Sequence, residues 1–171
     1  MKIGITGIER KLGREIANQL LDCITIDESL TGLSECDVFI NNLCKGNIQE
    51  IYFSSVYNLW STLPKTIINI ISTVVFDEVN TLGSYGESKI NLHNLVNDTI
   101  AKNPNKAVRI INVYPSTLSS NKHFDNLNKV DIVQIASLIK TVVNLPQELE
   151  VRDIRLYPTV RDREFNKTTL L

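Results

Sequence analysis

Cysteine and histidine are scarce in this sequence, and neither forms a motif for a metal or redox site. The three cysteines, Cys23, Cys36 and Cys44, are odd in number, and no two of them have C-x-x-C spacing. The two histidines, His93 and His123, are isolated from each other. We therefore expect no metal site, and we expect reduced thiols in a cytoplasmic compartment, where disulfides are rare.

An excess of charge and long apolar runs are also absent. The 18 basic and 19 acidic residues give a formal net charge of −1, which provides no electrostatic signature of nucleic-acid or membrane binding. No apolar run reaches the ~18–20 residues that span a bilayer, and residues 1–6 lack the layout of a signal peptide. With 171 residues, 43% of them hydrophobic, we expect one domain over residues 1–171.

Short apolar runs alternate along the chain with segments of helical spacing. The predicted strands are 2–6, 23–26, 37–41, 66–71, 107–113 and 149–156, and the predicted helices are 12–21, 47–63, 84–102 and 130–143. This βαβ alternation predicts an α/β fold, a single-domain Rossmann-like doubly wound parallel sheet of about six strands with helices on both faces. The last strand alternates apolar and charged residues, as edge strands do, and the tail 161–171 is predicted to be extended.

The second predicted helix is expected to end at Pro64. Its apolar face is predicted to consist of Ile48, Ile51, Tyr52, Ser55, Leu59 and Leu63. Only about ten residues separate the second and third strands, which barely allows a crossover helix between them.

A glycine turn follows the first strand and opens the first helix. The stretch reads Thr6-Gly7-Ile8-Glu9-Arg10-Lys11-Leu12-Gly13, and a strand–glycine–helix context is what a dinucleotide fingerprint requires. Gly7 allows the tight turn, Gly13 allows close packing of helix and strand, and the helix N-terminus faces a pyrophosphate. The middle glycine is replaced, so Arg10 or Lys11 either supplies charge to the phosphates or fills the site; a turn without any ligand is the alternative.

Asp27 lies 20 residues after Gly7, at the end of the second predicted strand. This is the spacing at which an acidic residue binds the ribose hydroxyls of a dinucleotide. A carboxylate there repels a 2′-phosphate and favours NAD, whereas Arg10 favours NADP; we give Asp27 more weight. The alternative is a carboxylate that caps a helix or a loop.

Three polar side chains follow the fourth predicted strand. Ser72 ends that strand, Tyr85 comes 13 residues later, and Lys89 lies four residues further on, on the same face of the predicted helix. A phenol titrates near 10, and a neighbouring ammonium lowers that pKa, so this set can move a proton to or from a carbonyl or alcohol oxygen. The alternative is a surface turn followed by an ordinary helix.

These residues resemble the short-chain dehydrogenase/reductase family. The marks of the family, in its order and over nearly the whole chain, are Thr6-Gly7 with Gly13, Asp27, Asn41-Asn42-Leu43-Cys44, Asn69-Ile70-Ile71-Ser72, Tyr85-Gly86-Glu87-Ser88-Lys89 and Pro115-Ser116-Thr117. Two segments, 6–15 and 72–77, are similar to the sugar-nucleotide branch of the family, such as dTDP-dehydrorhamnose reductase. The spacing of Ser72 and Tyr85 is closer to the classical branch.

The resemblance implies an NAD(P)-dependent oxidoreductase that interconverts a carbonyl and an alcohol of a small-molecule substrate. It implies that Tyr85 donates or accepts the proton, that Lys89 binds ribose and lowers the Tyr85 pKa, and that Ser72 holds the substrate oxygen, with Thr73 as a second candidate. The cofactor-binding residues implied by the loop motifs and by the resemblance are Gly7, Ile8, Arg10, Lys11, Leu12, Gly13, Asp27, Asn41, Asn42, Leu43, Lys89, Pro115 and Thr117.

Some family members also use an asparagine in the helix before the Ser72 strand, for which Asn47 and Asn58 are available. The resemblance further implies a homodimer or homotetramer formed through helices 47–63 and 84–102. The short link after Asp27 suggests that one strand and one helix of the family pattern are missing. A nucleotide-binding module or subunit without catalysis, and a nucleotide-sugar reductase or epimerase, are therefore alternative functions.

Overall fold

The computed structural model describes residues 1–20, 22–76, 83–104, 106–118 and 129–158. It has six parallel strands in the order β2-β1-β3-β4-β5-β6, joined in one sheet. The elements are β1 Ile3–Ile5, α1 Lys11–Gln19, β2 Cys23–Thr25, β3 Val38–Asn41, α2 Ile48–Trp60, β4 Thr66–Ile70, α3 Gly83–Lys102, β5 Arg109–Pro115, α4 Ile132–Val143 and β6 Asp153–Leu156. The predicted Rossmann-like α/β fold is confirmed.

Helices cover both faces of the sheet because its strands are apolar on both sides. In β3, Val38 and Ile40 belong to the core with α1 and α4, while Phe39 belongs to the core with α2 and α3. Successive side chains of a strand point to opposite faces, and here both faces are buried. Complete burial of one such side chain contributes about 1.5–3 kcal/mol, so a continuous apolar strand specifies a sheet enclosed between two helical layers.

The direction of strand order reverses at β1, since β2 lies on one side of it and β3 on the other. In open parallel sheets, ligands bind outside the carboxyl ends of the strands at this point. Residues 26–37, which connect β2 to β3, contain a short 3-10 helix, Leu33–Glu35, and no α-helix. The short connection was predicted, and it makes β2 the edge of the sheet.

The structure corrects three predicted boundaries. Strand β5 extends through Pro115, which had been expected to follow it; β4 ends at Ile70 opposite Val113, so the missing N–H of Pro115 breaks no pairing with β4. Helix α2 ends at Trp60, before the predicted end at Pro64. Strand β6 begins only at Asp153, and it is an edge strand as predicted.

The predicted apolar face of α2 was wrong in part, since Tyr52 is buried and Ile48 packs against the core as predicted. The residues that α2 buries are Gln49, Tyr52, Phe53, Val56 and Trp60, whereas Ile51 and Leu59 are 49% and 56% exposed. Apolar residues surround much of this helix, so spacing alone offered two faces. The large aromatic side chains Phe53 and Trp60 occupy the buried one.

A row of polar side chains crosses the core on the α2/α3 side of the sheet. The pairing register places Asn41 beside Asn69, Asn69 beside Asn112, and Asn112 beside Asp153. Each asparagine Nδ2 donates to the Oδ1 of the next residue, over 3.2, 3.1 and 3.0 Å. Buried amides are tolerated only when they are hydrogen-bonded, so the row fixes the relative positions of the strand ends that lead to the site.

No helix in the described part of the chain is both long and apolar enough to span a bilayer. The predicted single domain over residues 1–171 stays a prediction, because residues 159–171, with the predicted extended tail, lie outside the described residues.

Candidate functional site

The turn between β1 and α1 is built on two glycines. Gly7 has a φ of +70°, and a Cβ there would lie 3.0 Å from the Leu43 Cα. A Cβ on Gly13 would lie 2.1 Å from the Gly7 carbonyl oxygen and 2.7 Å from the Asn42 Nδ2. The first turn of α1 therefore packs directly on the glycine loop, as the spacing predicted, and leaves no room for a side chain at position 13.

The N-terminus of α1 fits an anionic group. Its N-cap residue, Arg10, makes no capping hydrogen bond with its side chain, and the first turn has no acidic residue. Arg10 and Lys11 are exposed, and the Arg10 Nε lies 3.6 Å from the Glu9 carboxylate. Their side chains therefore do not fill the glycine turn, which answers one of the two alternatives raised by the sequence. Positive charge and helix amides at this position suit a pyrophosphate.

The remaining predicted residues of this turn have different environments. Leu12 is buried and belongs to the core with α1 and α4, and Ile8 packs against the same core. Their side chains pack into this core and stabilise the turn. If either residue contacts a cofactor, it must do so through its main chain.

Thr6 supports the glycine loop through hydrogen bonds and was not among the predicted cofactor-binding residues. It is fully buried, and its Oγ1 accepts hydrogen bonds from the main-chain N–H groups of Asn42 and Leu43, both at 3.0 Å. The Asn42 Nδ2 donates in return to the main-chain oxygens of Thr6 and Gly7, at 3.2 and 3.3 Å. Asn42 and Leu43 therefore hold the loop, and both are partly exposed at the sheet edge.

The structure corrects the predicted contact of the Asn41 side chain with a cofactor. Its side chain has no exposed surface, and its Nδ2 donates to the Gln49 carbonyl oxygen at 2.8 Å and to Asn69. Because the amide is enclosed in the polar row, its side chain supports the site from within the core and cannot contact a dinucleotide.

Asp27 lies two residues after β2 and caps its own loop. Its Oδ1 accepts hydrogen bonds from the Ser29 N–H at 3.0 Å, the Ser29 hydroxyl at 2.8 Å and the Thr31 N–H at 3.0 Å. The hydrogen bond from the Thr31 N–H is the largest cause that lowers the pKa of Asp27, followed by that of the Ser29 hydroxyl. The loop carboxylate named as the alternative is thus present, and the exposed group remains charged at neutral pH.

Ser72, Tyr85 and Lys89 come together at the carboxyl end of β4. Ser72 follows the strand, with its hydroxyl near enough to the Tyr85 hydroxyl to act on the Tyr85 pKa. Tyr85 lies in the first turn of α3, and the Lys89 Nζ lies 5.7 Å from the centre of the Tyr85 ring. The helical spacing of Tyr85 and Lys89 therefore produces the predicted juxtaposition. Thr73 is buried, and Ser72 is the hydroxyl that acts on the Tyr85 pKa.

The pKa values in this set depart from the expectation. Tyr85 as a whole is 47% exposed, but desolvation of its hydroxyl raises the Tyr85 pKa, and the nearby Ser72 hydroxyl acts in the opposite direction. Lys89 is not among the causes that act on the Tyr85 pKa, so its predicted lowering of that pKa stays a prediction. Burial also lowers the pKa of Lys89 to about 8, against the opposing effect of Cys44. Lys89 is 3% exposed, and its Nζ donates to the Gln49 Oε1 at 2.5 Å and to the Ile70 carbonyl oxygen at 2.9 Å.

The last predicted contacts follow β5. Pro115 is buried at the end of the strand, and Thr117 is partly exposed. The Thr117 carbonyl oxygen accepts a hydrogen bond from the Val130 N–H at 2.8 Å. Residues 119–128 lie outside the described part of the chain. In the described part, no group of three or more His, Cys, Asp or Glu side chains is arranged to hold a metal ion.

Comparison with solved structures identifies the fold. No protein-family model and no curated protein matches this sequence. A short-chain dehydrogenase/reductase from Vibrio parahaemolyticus is 15% identical and aligns over 90% of this chain and 98% of its own, with a TM-score of 0.71. This chain has the short-chain dehydrogenase/reductase fold.

Two further structures with this fold were determined with a nucleotide. An alcohol dehydrogenase from the archaeon Thermococcus sibiricus, complexed with 5-hydroxy-NADP, is 14% identical, covers 96% of this chain and 100% of its own, and has a TM-score of 0.71. A short-chain dehydrogenase from Burkholderia cenocepacia J2315, in complex with NADP, is 12% identical, covers 92% and 90%, and has a TM-score of 0.65. At such identities the likeness establishes the fold alone.

Within this fold, the helix before β4 contributes a residue that the sequence interpretation missed. Asn47 and Asn58, the two candidates from the resemblance, are both exposed. Gln49 is instead the polar residue on the buried face of α2, and it contacts Lys89. Its burial was hidden by the wrong choice of apolar face for this helix.

Proposed function

We propose that this protein is an NAD(P)-dependent oxidoreductase of the short-chain dehydrogenase/reductase family that interconverts a carbonyl and an alcohol. The observation that carries the proposal is the cluster of Ser72, Tyr85 and Lys89 at the same sheet edge as the glycine turn of β1 and α1. A proton-transferring group beside a dinucleotide site is the minimum that such a reaction needs. The two structural neighbours with bound NADP compounds support this choice of cofactor.

Each residue of the cluster has a distinct task in this proposal. The Tyr85 hydroxyl transfers the proton to or from the substrate oxygen, and the Ser72 hydroxyl holds that oxygen beside it. Lys89 provides positive charge one helical turn away; its predicted contact with ribose remains part of the proposal. The glycine turn, Leu43, Pro115 and Thr117 would hold the nicotinamide cofactor, which would supply or accept the hydride when bound.

The protonation state of Tyr85 governs the pH dependence of both directions of the reaction. A phenol with a raised pKa is protonated at neutral pH, as is a phenol with the ordinary pKa near 10, so it can serve as a general acid for a carbonyl oxygen. Oxidation of an alcohol requires the phenolate and is therefore expected to increase as the pH rises.

The first test is titration of the pure protein with NADH and NADPH, with cofactor fluorescence as the measurement. Saturable binding of either nucleotide is expected, since the α1 N-terminus carries no competing acidic group in its first turn. A screen of small carbonyl compounds for NAD(P)H consumption would follow. Absence of binding by both nucleotides at high micromolar concentration would contradict the proposal.

The same titration tests the proposed preference for NAD, which rests on the Asp27 carboxylate. An Asp27→Asn variant retains a side-chain oxygen for the Ser29 and Thr31 bonds but removes the charge that repels a 2′-phosphate. We expect its affinity for NADPH relative to NADH to rise by about tenfold, a free-energy change near 1.4 kcal/mol. An unchanged ratio would mean that Arg10, or neither residue, determines the choice. Glu28→Gln, which removes an exposed neighbouring charge, is the matched control.

A nucleotide-binding module without catalysis is the second candidate. It is favoured by one observation, namely that the Lys89 ammonium donates to two internal oxygens. Cofactor binding without turnover of any carbonyl substrate would support it. The narrower prediction of a nucleotide-sugar reductase or epimerase rests on segments 6–15 and 72–77, and turnover of a nucleotide sugar would be its test.

The proposal includes a homodimer or homotetramer formed through α2 and α3. Ile51 and Leu59 on α2 and Leu63 just beyond it are exposed apolar residues, the kind of surface that self-association covers. We expect light scattering at micromolar concentration to give two or four times the mass of one chain, and Leu59→Glu to reduce it to one. Val133→Glu, on α4 across the sheet, should leave the assembly intact. A strict monomer for the unaltered protein would contradict this prediction.

A reducing cytoplasmic location, consistent with three free cysteines, is part of the same proposal.

A further inference from the structure

Gln49 makes an unusually complete set of hydrogen bonds for a buried glutamine. It is 1% exposed on the inner face of α2. Its Nε2 donates to the Asn41 carbonyl oxygen at 2.8 Å and to the Ile70 carbonyl oxygen at 3.1 Å, and its Oε1 accepts from the Lys89 Nζ at 2.5 Å. The main-chain carbonyl oxygen of Gln49 accepts a hydrogen bond from the Asn41 Nδ2 at 2.8 Å.

These partners fix the orientation of the Gln49 amide. Two carbonyl oxygens can only accept hydrogen bonds, so the NH₂ group of the amide must face them. The Oε1 is thereby directed at Lys89, where it supplies an acceptor to a group that has lost its hydration. The Asn41 side chain, which donates to the Gln49 main-chain oxygen and to Asn69, fixes the start of α2 against the strands in turn, so the acceptor is supported by β3 and β4.

We infer that Gln49 is a positioning residue that holds the Lys89 side chain beside Tyr85 and maintains its positive charge in the core. The inference rests on the proposed function for its catalytic meaning, because Lys89 acts there on Tyr85. It concerns Gln49 and Lys89 directly, however, and their interaction can be measured without a substrate.

Several groups act on Lys89, and Gln49 must be separated from them. Burial disfavours the charged ammonium, while the Ile70 carbonyl oxygen and the Gln49 Oε1 favour it. Two titratable groups lie near the Lys89 ammonium. They are the Cys44 thiol, in the segment after β3, and the Tyr85 phenol, on the same helix as Lys89. A test of Gln49 therefore needs a signal from Lys89 alone and a variant without the Cys44 thiol.

The test is an NMR titration of the protein with ¹³C at the lysine Cε, in which Lys89→Met identifies the Lys89 resonance. In the unaltered protein, where burial lowers the Lys89 pKa to about 8, we expect its resonance to titrate apart from ordinary lysines, whose pKa is near 10.4. Gln49→Met removes the acceptor and is expected to lower the Lys89 pKa by about one unit, whereas Gln49→Glu places a carboxylate there and raises it by about one unit. The charged fraction of Lys89 at pH 8 is then about half in the unaltered protein, about one tenth in Gln49→Met and about nine tenths in Gln49→Glu.

The opposite signs distinguish positioning from a merely structural role. Both variants lose the two bonds donated by Nε2, so both are expected to be less stable, and a structural role alone would move Lys89 in the same direction in both. Val56→Ala, which leaves a cavity on the same helix face, should lower stability without moving the Lys89 titration. The opposite shifts should persist in a Cys44→Ala background.

Shifts of the same sign in both Gln49 variants, or no shift in either, would overturn the inference. Failure of the proposed function looks different, because it appears as absence of NADH and NADPH binding by the unaltered protein while the Lys89 titration still responds to Gln49. If both hold, the pH profile of turnover should move with the Lys89 titration in each variant.

Discussion

Replacement of Tyr85 by phenylalanine is expected to reduce kcat by about 10²–10⁴-fold, the range that general acid–base catalysis contributes. The substitution removes only the hydroxyl near Ser72 and retains the ring beside Lys89. Cofactor affinity should therefore remain within about twofold of the original. The measurement is NAD(P)H consumption with a carbonyl substrate from the screen, alongside fluorescence titration of the cofactor.

Tyr57→Phe is the matched control, because Tyr57 lies on α2 and stacks on Phe53 away from the site. It should retain full turnover. Full turnover by Tyr85→Phe would show that another group transfers the proton and would end the proposed mechanism. A loss of cofactor binding in Tyr85→Phe would instead indicate a structural role for the hydroxyl.

The fold could be predicted from the sequence because each level of the pattern indicates the same architecture. Strands such as Thr66–Ile70 are buried throughout, and the helices α1, α3 and α4 were predicted close to their observed bounds. Helix α2 was different. Its apolar residues do not form a single stripe, so periodicity could not decide between Ile51 with Leu59 and Phe53 with Trp60.

The same ambiguity explains which parts of the site the sequence could provide. Tyr85 and Lys89 are linked by helical spacing within one element, so their proximity follows from local geometry. The contact of Gln49 with Lys89 joins α2 to α3 and depends on the rotation of α2 about its axis. The capping of the Asp27 loop and the complete burial of Asn41 likewise depend on tertiary contacts that residue spacing does not specify.

Substitution of Gly13 by alanine is expected to damage both stability and cofactor binding. Alanine has the higher helix propensity by about 1 kcal/mol, so an uncrowded position would be stabilised. Here the new Cβ would lie 2.1 Å from the Gly7 carbonyl oxygen, far inside the ~3.5 Å of a favourable contact. Overpacking of this kind costs about 1–3 kcal/mol. The midpoint temperature of thermal unfolding should therefore fall by about 2–4 °C for each kcal/mol.

Cofactor affinity should fall by at least about tenfold in Gly13→Ala, because relief of the contact must displace either the glycine turn or the first turn of α1, the two parts that face the pyrophosphate. Gly46→Ala separates crowding from the loss of a glycine. Gly46 also has a positive φ, +56°, but a Cβ there would meet no atom within 4 Å, so it should lower stability by about 1–2 kcal/mol and leave affinity unchanged. Equal affinity in both variants would show that the α1 turn does not bind the dinucleotide. A selective loss in Gly13→Ala would tie nucleotide binding to the packing of this helix on its loop.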